Sequence, residues 1–481
     1  MDNWIWVLIG LGGLILILVI IILIKAMLFK PSKTQEIQAT KVSVDSDRAA
    51  KHLGEIIKCK TISYNDTSKT DFTEYDKLIG KINEMYPEVR KAAEYDVSDE
   101  RNIMFKIPGA SSEKPTFLMA HYDVVPVTKG WDHDPFSGEV INGCVYGRGA
   151  IDTKCTMICA LEAVEDALKT GYVPKNDLYL CFGSNEEVSG ISARKRVLEL
   201  KKKGIKPYLV LDEGGGVTSN AFPGVSKDAA VLGIAEKGII DIKLSIDGNG
   251  GHSSTPNKNG PIIQLSKALE KLDKNPMKAK YCKTTLGLLN ALGRESTFGY
   301  RIIFANMWLF KGLVKHLFQK MGGDVNALVS STFAFTTIEG GNARNVLPNH
   351  VEANINIRVA PFDTTEGIVK HIKRIINDDD IKVEVVEETK MYKEQSYTSD
   401  AYKIIESTAR ENYQNIAVSP FLMLGGTDGK QFCEISDAVV RFSPIKVTAE
   451  ERKTMHGLNE RIRTETLAKC VEFYKRLLQK I

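Results

Sequence analysis

A charge excess of either sign is missing from this chain of 481 residues: 64 Lys and Arg stand against 60 Asp and Glu, a net charge of +4. With so small a surplus, and no basic patch interleaved with aromatics, nucleic acid is excluded as the natural partner. A disulfide framework is missing too. The 8 cysteines show no paired spacing, and several, among them Cys144, Cys155, Cys159 and Cys181, fall in or near apolar runs, where a thiol acts as a small hydrophobe. Cys155 and Cys159 lie four apart on an expected helix, but two thiols alone make a poor zinc site. Internal repeats and low-complexity tracts are absent, which excludes a repeat array.

What is present is a globular composition, 43% hydrophobic and 26% charged, able to bury a large interior. At this length two domains and an accessory segment are expected. The accessory segment comes first. Trp4 to Ile24 carries no charge, and Leu14 to Ile24 is unbroken Leu, Ile and Val ending at Lys25. About 20 apolar residues cross a bilayer as a helix. A cleaved signal peptide is the alternative, but no small-residue cleavage site follows and no basic cluster precedes. Lys25, Lys30, Lys33 and Lys41 all follow the span, which by the positive-inside rule puts the catalytic body in the cytoplasm.

After a polar tether, strands and helices alternate. Apolar runs at 116–120, 178–182 and 208–211 read as buried strands, and Met157, Ile158, Leu161, Val164 and Leu168 keep helical spacing. Such alternation indicates a mostly parallel sheet covered by helices, with sites beyond the carboxyl ends of its strands. Ligand-type residues fall at those ends: His121 with Asp123, Asp152, Glu186-Glu187, Asp212-Glu213, and later His456. Singly, Asp152 could be a helix cap and Glu186-Glu187 a solvated pair. Together they point to a metal-centred enzyme. Hydrolysis near neutral pH needs a nucleophile stronger than water, and two zinc ions roughly 3.5–4 Å apart can generate one. Imidazoles and carboxylates suit such a pair. Asp212 and Glu213 would point to opposite faces of a continuing strand, so only one should meet a metal, and the sequence does not choose.

From Gly238 the texture changes. Strands at 240–246, 332–338, 351–359 and 381–386, with helices at 261–272 and 366–376, make a βαββαβ order of the ferredoxin-like kind. Between its halves lies the apolar and aromatic segment 281–320, which fits core packing, with a lid element, a partner surface or a second membrane contact as alternatives. The expected architecture is α/β. A catalytic domain with a mostly parallel sheet spans 46–236 and 391–481, and an inserted ferredoxin-like α+β lid domain spans 237–390. An N-terminal transmembrane helix at 4–24 and a tether at 25–45 precede them.

Five stretches together resemble the co-catalytic di-zinc aminoacylase and carboxypeptidase family: His121-Tyr122-Asp123-Val124-Val125-Pro126, Gly147-Arg148-Gly149-Ala150-Ile151-Asp152, Asn185-Glu186-Glu187-Val188-Ser189-Gly190, Leu211-Asp212-Glu213-Gly214 and Met455-His456-Gly457. The resemblance runs from about residue 45 to the end. It implies that His121 and one acid of the Asp212-Glu213 pair hold one zinc, that Glu187 and His456 hold the other, and that Asp152 bridges them. Glu186 would be the general base, and Asp123 would orient His121. A cis peptide after Asp152 is implied as well. His252, in Gly251-His252-Ser253-Ser254-Thr255-Pro256, resembles a histidine that polarises the scissile carbonyl, often from a neighbouring subunit. Asn345 and Arg358 resemble positions that hold a substrate carboxylate, and the Gly425–Gly429 loop, with Gly426 and Thr427, would line the pocket through backbone donors. His133, His316, His350 and His371 have no such context.

The insertion and the apolar start resemble the carboxypeptidase S branch, which implies a lumenal or secreted body, against the lysine flank. The expected activity is that of a membrane-anchored zinc hydrolase. It would cleave the amide next to a free carboxylate in short peptides or N-acyl amino acids, with a homodimer through the lid domain as its family's usual assembly. An amidase of non-peptide acyl amines, or a catalytically silent scaffold, are the competing readings.

Overall fold

The computed structural model describes residues 3–31 and 39–481. It opens on a helix, Asn3–Leu28, whose stretch Trp4–Leu28 is long and apolar enough to cross a membrane. Most of its apolar side chains are exposed, but near its end Ala26 is buried. The expected tether begins inside this helix. Lys33 lies outside the described residues, and beyond them the Thr40 amide already donates to Glu411 (2.9 Å) on the body.

The main sheet has nine strands. Along it run Glu94–Val97, Ile103–Ile107, Asn176–Gly183, Ser111–His121, Leu209–Asp212, Val439–Arg441, Ala229–Glu236 and Ala417–Met423, with Gly216–Thr218 paired to Ala229–Glu236. The expectation of a mostly parallel sheet is corrected here, because the sheet is mixed. Its centre is parallel, from Asn176–Gly183 through Ser111–His121 and Leu209–Asp212 to Val439–Arg441. Two antiparallel pairs, Glu94–Val97 with Ile103–Ile107 and Gly216–Thr218 with Ala229–Glu236, have connections too short for a crossover helix, and Ile103–Ile107 also pairs antiparallel with Asn176–Gly183. Strand Val439–Arg441 also meets Ala229–Glu236 antiparallel.

The parallel centre is buried on both faces. Only the first residue of Asn176–Gly183 is even partly exposed, and helix Lys154–Lys169 is buried from Lys154 through Glu165. The charge at Lys154 survives there because its ammonium donates to the carbonyls of Ile56 (3.0 Å) and Cys59 (2.8 Å). Burial still lowers its pKa to about 8.

The second unit is a four-stranded antiparallel sheet ordered Thr332–Gly340, His350–Val359, Gly238–Asp247, Lys382–Glu388. With helices Pro261–Lys274 and Thr365–Ile376 its chain order is βαββαβ. Alternation supplies its core: Ile240, Ile242, Leu244 and Ile246 on one strand meet Val351, Ala353, Ile355 and Ile357 on the next. Helix Thr365–Ile376 answers with Ile368, Ile372 and Ile376, each one turn from the last. Thr364 caps its start, and Asn377 ends it in the left-handed region.

The segment 281–320 does not join that second core. It forms helices Lys283–Glu295, Phe298–Phe304 and Met307–Met321. Leu288, Leu289 and Leu292 of the first pack with Ala229 and Ala417 of the large sheet's edge strands and with Phe222 of the loop before Ala229–Glu236, so core packing holds for this first helix.

Leu180, at the centre of the parallel strands, is fully buried. Leu180→Ala should cost about 2–5 kcal/mol through lost transfer energy and a residual cavity, and urea unfolding of the variant would measure it.

Candidate metal centre

Three parallel strands deliver ligands to one edge of the sheet. His121 closes strand Ser111–His121 and pairs in register with Gly183. The chain leaving Gly183 reaches the turn Glu186–Val188, and Leu209–Asp212 ends one residue before Glu213. Neighbouring parallel strands end on the same side, which makes such an edge the natural place for a site.

Two triplets of ligand atoms form there, each with its atoms within 4.8 Å of one another: His121, Asp152 and Glu213, and Asp152, Glu187 and His456. Asp152 belongs to both. Its Oδ1 lies 3.0 Å from His121 Nε2, and its Oδ2 lies 3.0 Å from His456 Nε2. Glu213 Oε1 is 3.3 Å from His121 Nε2, and Glu187 Oε1 is 3.2 Å from His456 Nε2. Glu186 stands beside them, its carboxylate 4.0 Å from His121 Nε2. The Asp152–Thr153 peptide is cis.

Of the two acids the sequence left open, the structure turns Glu213 toward His121. Asp212 faces the other way, and its Oδ2 accepts the Gly429 amide at 2.6 Å. Glycine is needed at that position because a Cβ on Gly429 would itself sit 2.6 Å from the same oxygen.

Asp123 is wholly buried and ties two of these strand ends together. Its carboxylate accepts the amides of Glu186 (3.1 Å) and Glu187 (3.2 Å) and the Ser63 hydroxyl (2.7 Å). It also lies 3.4 Å from His121 Nδ1, while the Asp123 carbonyl is 3.0 Å from the same nitrogen. That pairing fixes the ring so that Nε2 faces Asp152.

Glu460 was not singled out by the sequence. Buried completely, it accepts the amides of Gly149 (3.1 Å), Ile151 (2.7 Å) and Asp152 (3.1 Å) and pairs with Arg148 at 2.7 Å. Arg148 then donates to the Gly457 carbonyl at 2.9 Å. One carboxylate thus joins the loop carrying Asp152 to the turn carrying His456. The only hint in sequence is its position four residues after His456.

The electrostatics follow from this crowding of acids around two imidazoles. Burial lifts Glu213 to about 8, with Asp152 and Asp212 adding to the rise against the pull of His121. It also pushes Glu186 well above the ordinary carboxylate range, helped by Glu213, Asp428 and Asp123. Burial disfavours the charged form of His121 as well, but Glu213, Asp123 and Asp152 outweigh it and raise its pKa far above the usual value. Hydrogen bonds to Asp152 and Glu187 carry His456 to about 10. Burial opposes the charge of Asp152, yet the two imidazoles hold its pKa below the ordinary range. The crowded acids favour positive charge beside them, which is why both imidazoles are shifted upward. A donor set of two imidazoles and three carboxylates suits a borderline divalent cation.

The other expected residues lie elsewhere. His252 and Asn345 are exposed neighbours on a small ribbon, where Gly251–His252 pairs with Val346–Leu347 and the Ser253 amide donates to the Asn345 carbonyl at 3.1 Å. Arg358 sits on strand His350–Val359, between Ile239 and Thr332. Among the described residues, no hydrogen bond or ion pair links His252, Asn345 or Arg358 to the ligand cluster. Thr427 is buried, its hydroxyl donating to Glu236 at 2.8 Å. Glu236 in turn pairs with buried Arg441. Gly426 is half-buried beside them.

Two outcomes follow from this geometry. Glu460→Gln removes the charge opposite Arg148 and should lower zinc affinity about 10–100-fold, as loss of a supporting carboxylate does; competition against a chelating dye would measure it. The raised pKa of His456 gives the second. Its proton stabilises the metal-free fold fully below the ordinary histidine value and ceases to as pH rises through about 10. A cation held by His456 would have to displace that proton, so zinc affinity in the same assay should rise with pH, about tenfold per unit near neutrality for each proton released.

The chain matches the model of Peptidase family M20/M25/M40 over residues 117–480. It is 33% identical over 444 residues to "Probable carboxypeptidase S-like 2" of Dictyostelium discoideum, covering 89% of this chain and 84% of that protein. It is 30% identical over 427 residues to the human "N-fatty-acyl-amino acid synthase/hydrolase PM20D1", covering 87% and 84%. Among solved structures, the M20 family metallo-carboxypeptidase Sso-CP2 from Sulfolobus solfataricus superposes with a TM-score of 0.63 at 19% identity, covering 90% of this chain and 98% of that one. Human carnosine dipeptidase 1 gives 0.59 at 15% identity, covering 90% and 97%. The family implies a metal, and the two triplets are where this chain has the ligands for one. With a family model matched over most of its length and relatives of this identity, the chain belongs to peptidase family M20/M25/M40 and is a hydrolase.

Proposed function

We propose that the protein is a membrane-anchored di-zinc hydrolase that cleaves the amide bond next to a free carboxylate, in short peptides or N-acyl amino acids. The observation that carries this reading is the sharing of Asp152: each of its oxygens faces a different imidazole, and each imidazole has its own glutamate. Zinc ions held by His121, Asp152 and Glu213 and by Asp152, Glu187 and His456 would supply Lewis-acid activation of the water and the scissile carbonyl.

The chain's own residues do the rest. Glu186, with its pKa raised by burial, accepts the proton of the attacking water and passes it to the leaving nitrogen. Asp123 is a positioning residue, holding the His121 ring and the Glu186 amide at once. Residues 46–236 and 391–481 form the catalytic domain, and the unit 237–390 acts as its lid. His252, Asn345 and Arg358 on that unit meet the substrate's carbonyl and carboxylate, and the lid's motion brings them to the metals. Gly426 borders the same cleft, while Thr427 braces it through Glu236. The exposed edge strand Thr332–Gly340, with Phe335 and Ile338 uncovered, suits a homodimer through the lid. The names of the relatives, a carboxypeptidase and an N-fatty-acyl-amino acid hydrolase, favour substrates with a free carboxylate over other acyl amines.

The anchor is the helix Asn3–Leu28, and the lysines that follow it favour a cytoplasmic body. Eight free cysteines, most of them buried, suit that reducing side.

Glu186→Gln should leave zinc content unchanged and lower kcat by about 10²–10⁴-fold, the usual scale for a general base. Assayed on a panel of dipeptides and N-acyl amino acids, wild type should lose turnover on chelation and regain it with zinc. Equal rates on substrates with and without the free carboxylate would overturn the specificity.

A further inference from the structure

We infer that helices Phe298–Phe304 and Met307–Met321 form a bilayer-seating face, a second contact with the lipid surface beside the anchor. This inference rests on the reading of the first helix as an anchor, and deepens it.

Helix Met307–Met321 turns Val314 inward and packs Met307 and Phe318 against the core that includes Phe304 and Leu292. Its other side should then be polar. Instead Trp308 is 51% exposed, Leu309 44%, Leu313 53%, Leu317 46% and Met321 65%. Four of these recur every fourth residue and form one stripe along the helix. On the preceding helix Phe298 and Tyr300 are exposed as well. So contiguous an apolar face calls for a partner.

Two observations identify that partner as lipid. The first is continuity with the anchor. Asn306, at the joint between the two helices, donates its side-chain amide to the Ile22 carbonyl at 3.1 Å, and the Lys25 ammonium lies 5.2 Å from the centre of the Trp308 ring. Ile22 and Lys25 bracket the point where the apolar span gives way to charge, about 4.5 Å apart along a helix. The joint therefore sits at the depth where an interfacial helix lies, about 5–10 Å into the headgroup boundary.

The second is charge. From Thr297 to Gly322 there is no Asp or Glu, while Arg301, Lys311, Lys315 and Lys320 are all basic. Lys25 and Lys30 add to the same rim, and Arg294 is tied to it by a bond to the Lys30 carbonyl at 3.1 Å. An apolar stripe with a purely basic surround fits an anionic lipid surface. A soluble protein partner would also have to clear the bilayer that the anchor holds against this face.

The test uses the full chain in phosphatidylcholine vesicles containing phosphatidylserine, with the photo-crosslinking residue p-benzoylphenylalanine placed at Leu313 in one variant and Leu317 in another. Val173, exposed on the catalytic body, is the control position. After flotation and irradiation, mass spectrometry should find lipid adducts at 313 and 317 about tenfold above those at 173, as expected for an acyl-buried face. Adducts to a second copy or another protein, or control-level lipid adducts in protein that floats, would overturn the seating face and leave the anchor standing. Failure of the wild-type chain to float would overturn both.

Discussion

Negative charge crowded at one edge of a buried sheet is the constraint on which this molecule turns. Asp123, Asp152, Glu186, Glu187, Asp212, Glu213 and Asp428 crowd the carboxyl edge of the parallel strands, with Asp123, Asp212 and Asp428 buried and the others half-buried. Carboxylates so placed repel one another and lose hydration together, which is why Glu186, Glu213, Asp212 and Asp428 are all pushed upward. Asp152 is held downward, because both imidazoles point at it. The cluster favours positive charge beside it, and its ligand-type atoms fall into two triplets that share Asp152. Everything beneath it holds that arrangement still. Asp123 clamps two strand ends, and Glu460 ties the Asp152 loop to a turn more than three hundred residues later in the chain.

Much of this was legible in the sequence. Ligand-type residues at the ends of short apolar runs point to one edge of the sheet, and the fold brings His121, Asp152, Glu187, Glu213 and His456 together there. The alternation at Ile240–Ile246 and the helical spacing at Ile368, Ile372 and Ile376 likewise specify the second sheet and a helix that covers it. The choice between Asp212 and Glu213 was not legible. It depends on where the strand stops being a strand, and in the fold Asp212 accepts an amide from Gly429, far away in the chain, while Glu213 faces His121. Glu460 escaped for a similar reason. A glutamate in a polar turn looks solvated until the fold brings four N–H donors onto it.

The mixed character of the sheet has the same origin. Hydrophobic runs reveal strands but carry no direction, and direction comes from the connections. Where a short turn joins two runs, as between Val97 and Ile103, the pair is antiparallel whatever the neighbouring βα pattern suggests. The segment 281–320 shows the converse limit. Its residues belong by position to the inserted unit, but Leu288, Leu289 and Leu292 are claimed by the edge of the large sheet. That edge strand, Ala417–Met423, runs directly into the loop holding Gly426 and Thr427. Burial of this kind follows the nearest unpaired apolar edge, not the order of the chain.

The two halves of the centre are not equally enclosed. His121 is sealed, with 1% of its side chain exposed, whereas His456 shows 51%. On the proposal of one cation in each half, the ion beside His456 would have a short path to solvent and the ion beside His121 would first have to displace its neighbours. Exchange should therefore be sequential, with a fast-leaving outer ion and a slow inner one. A protein with a different element in each seat could then be prepared simply by controlling how long it is dialysed.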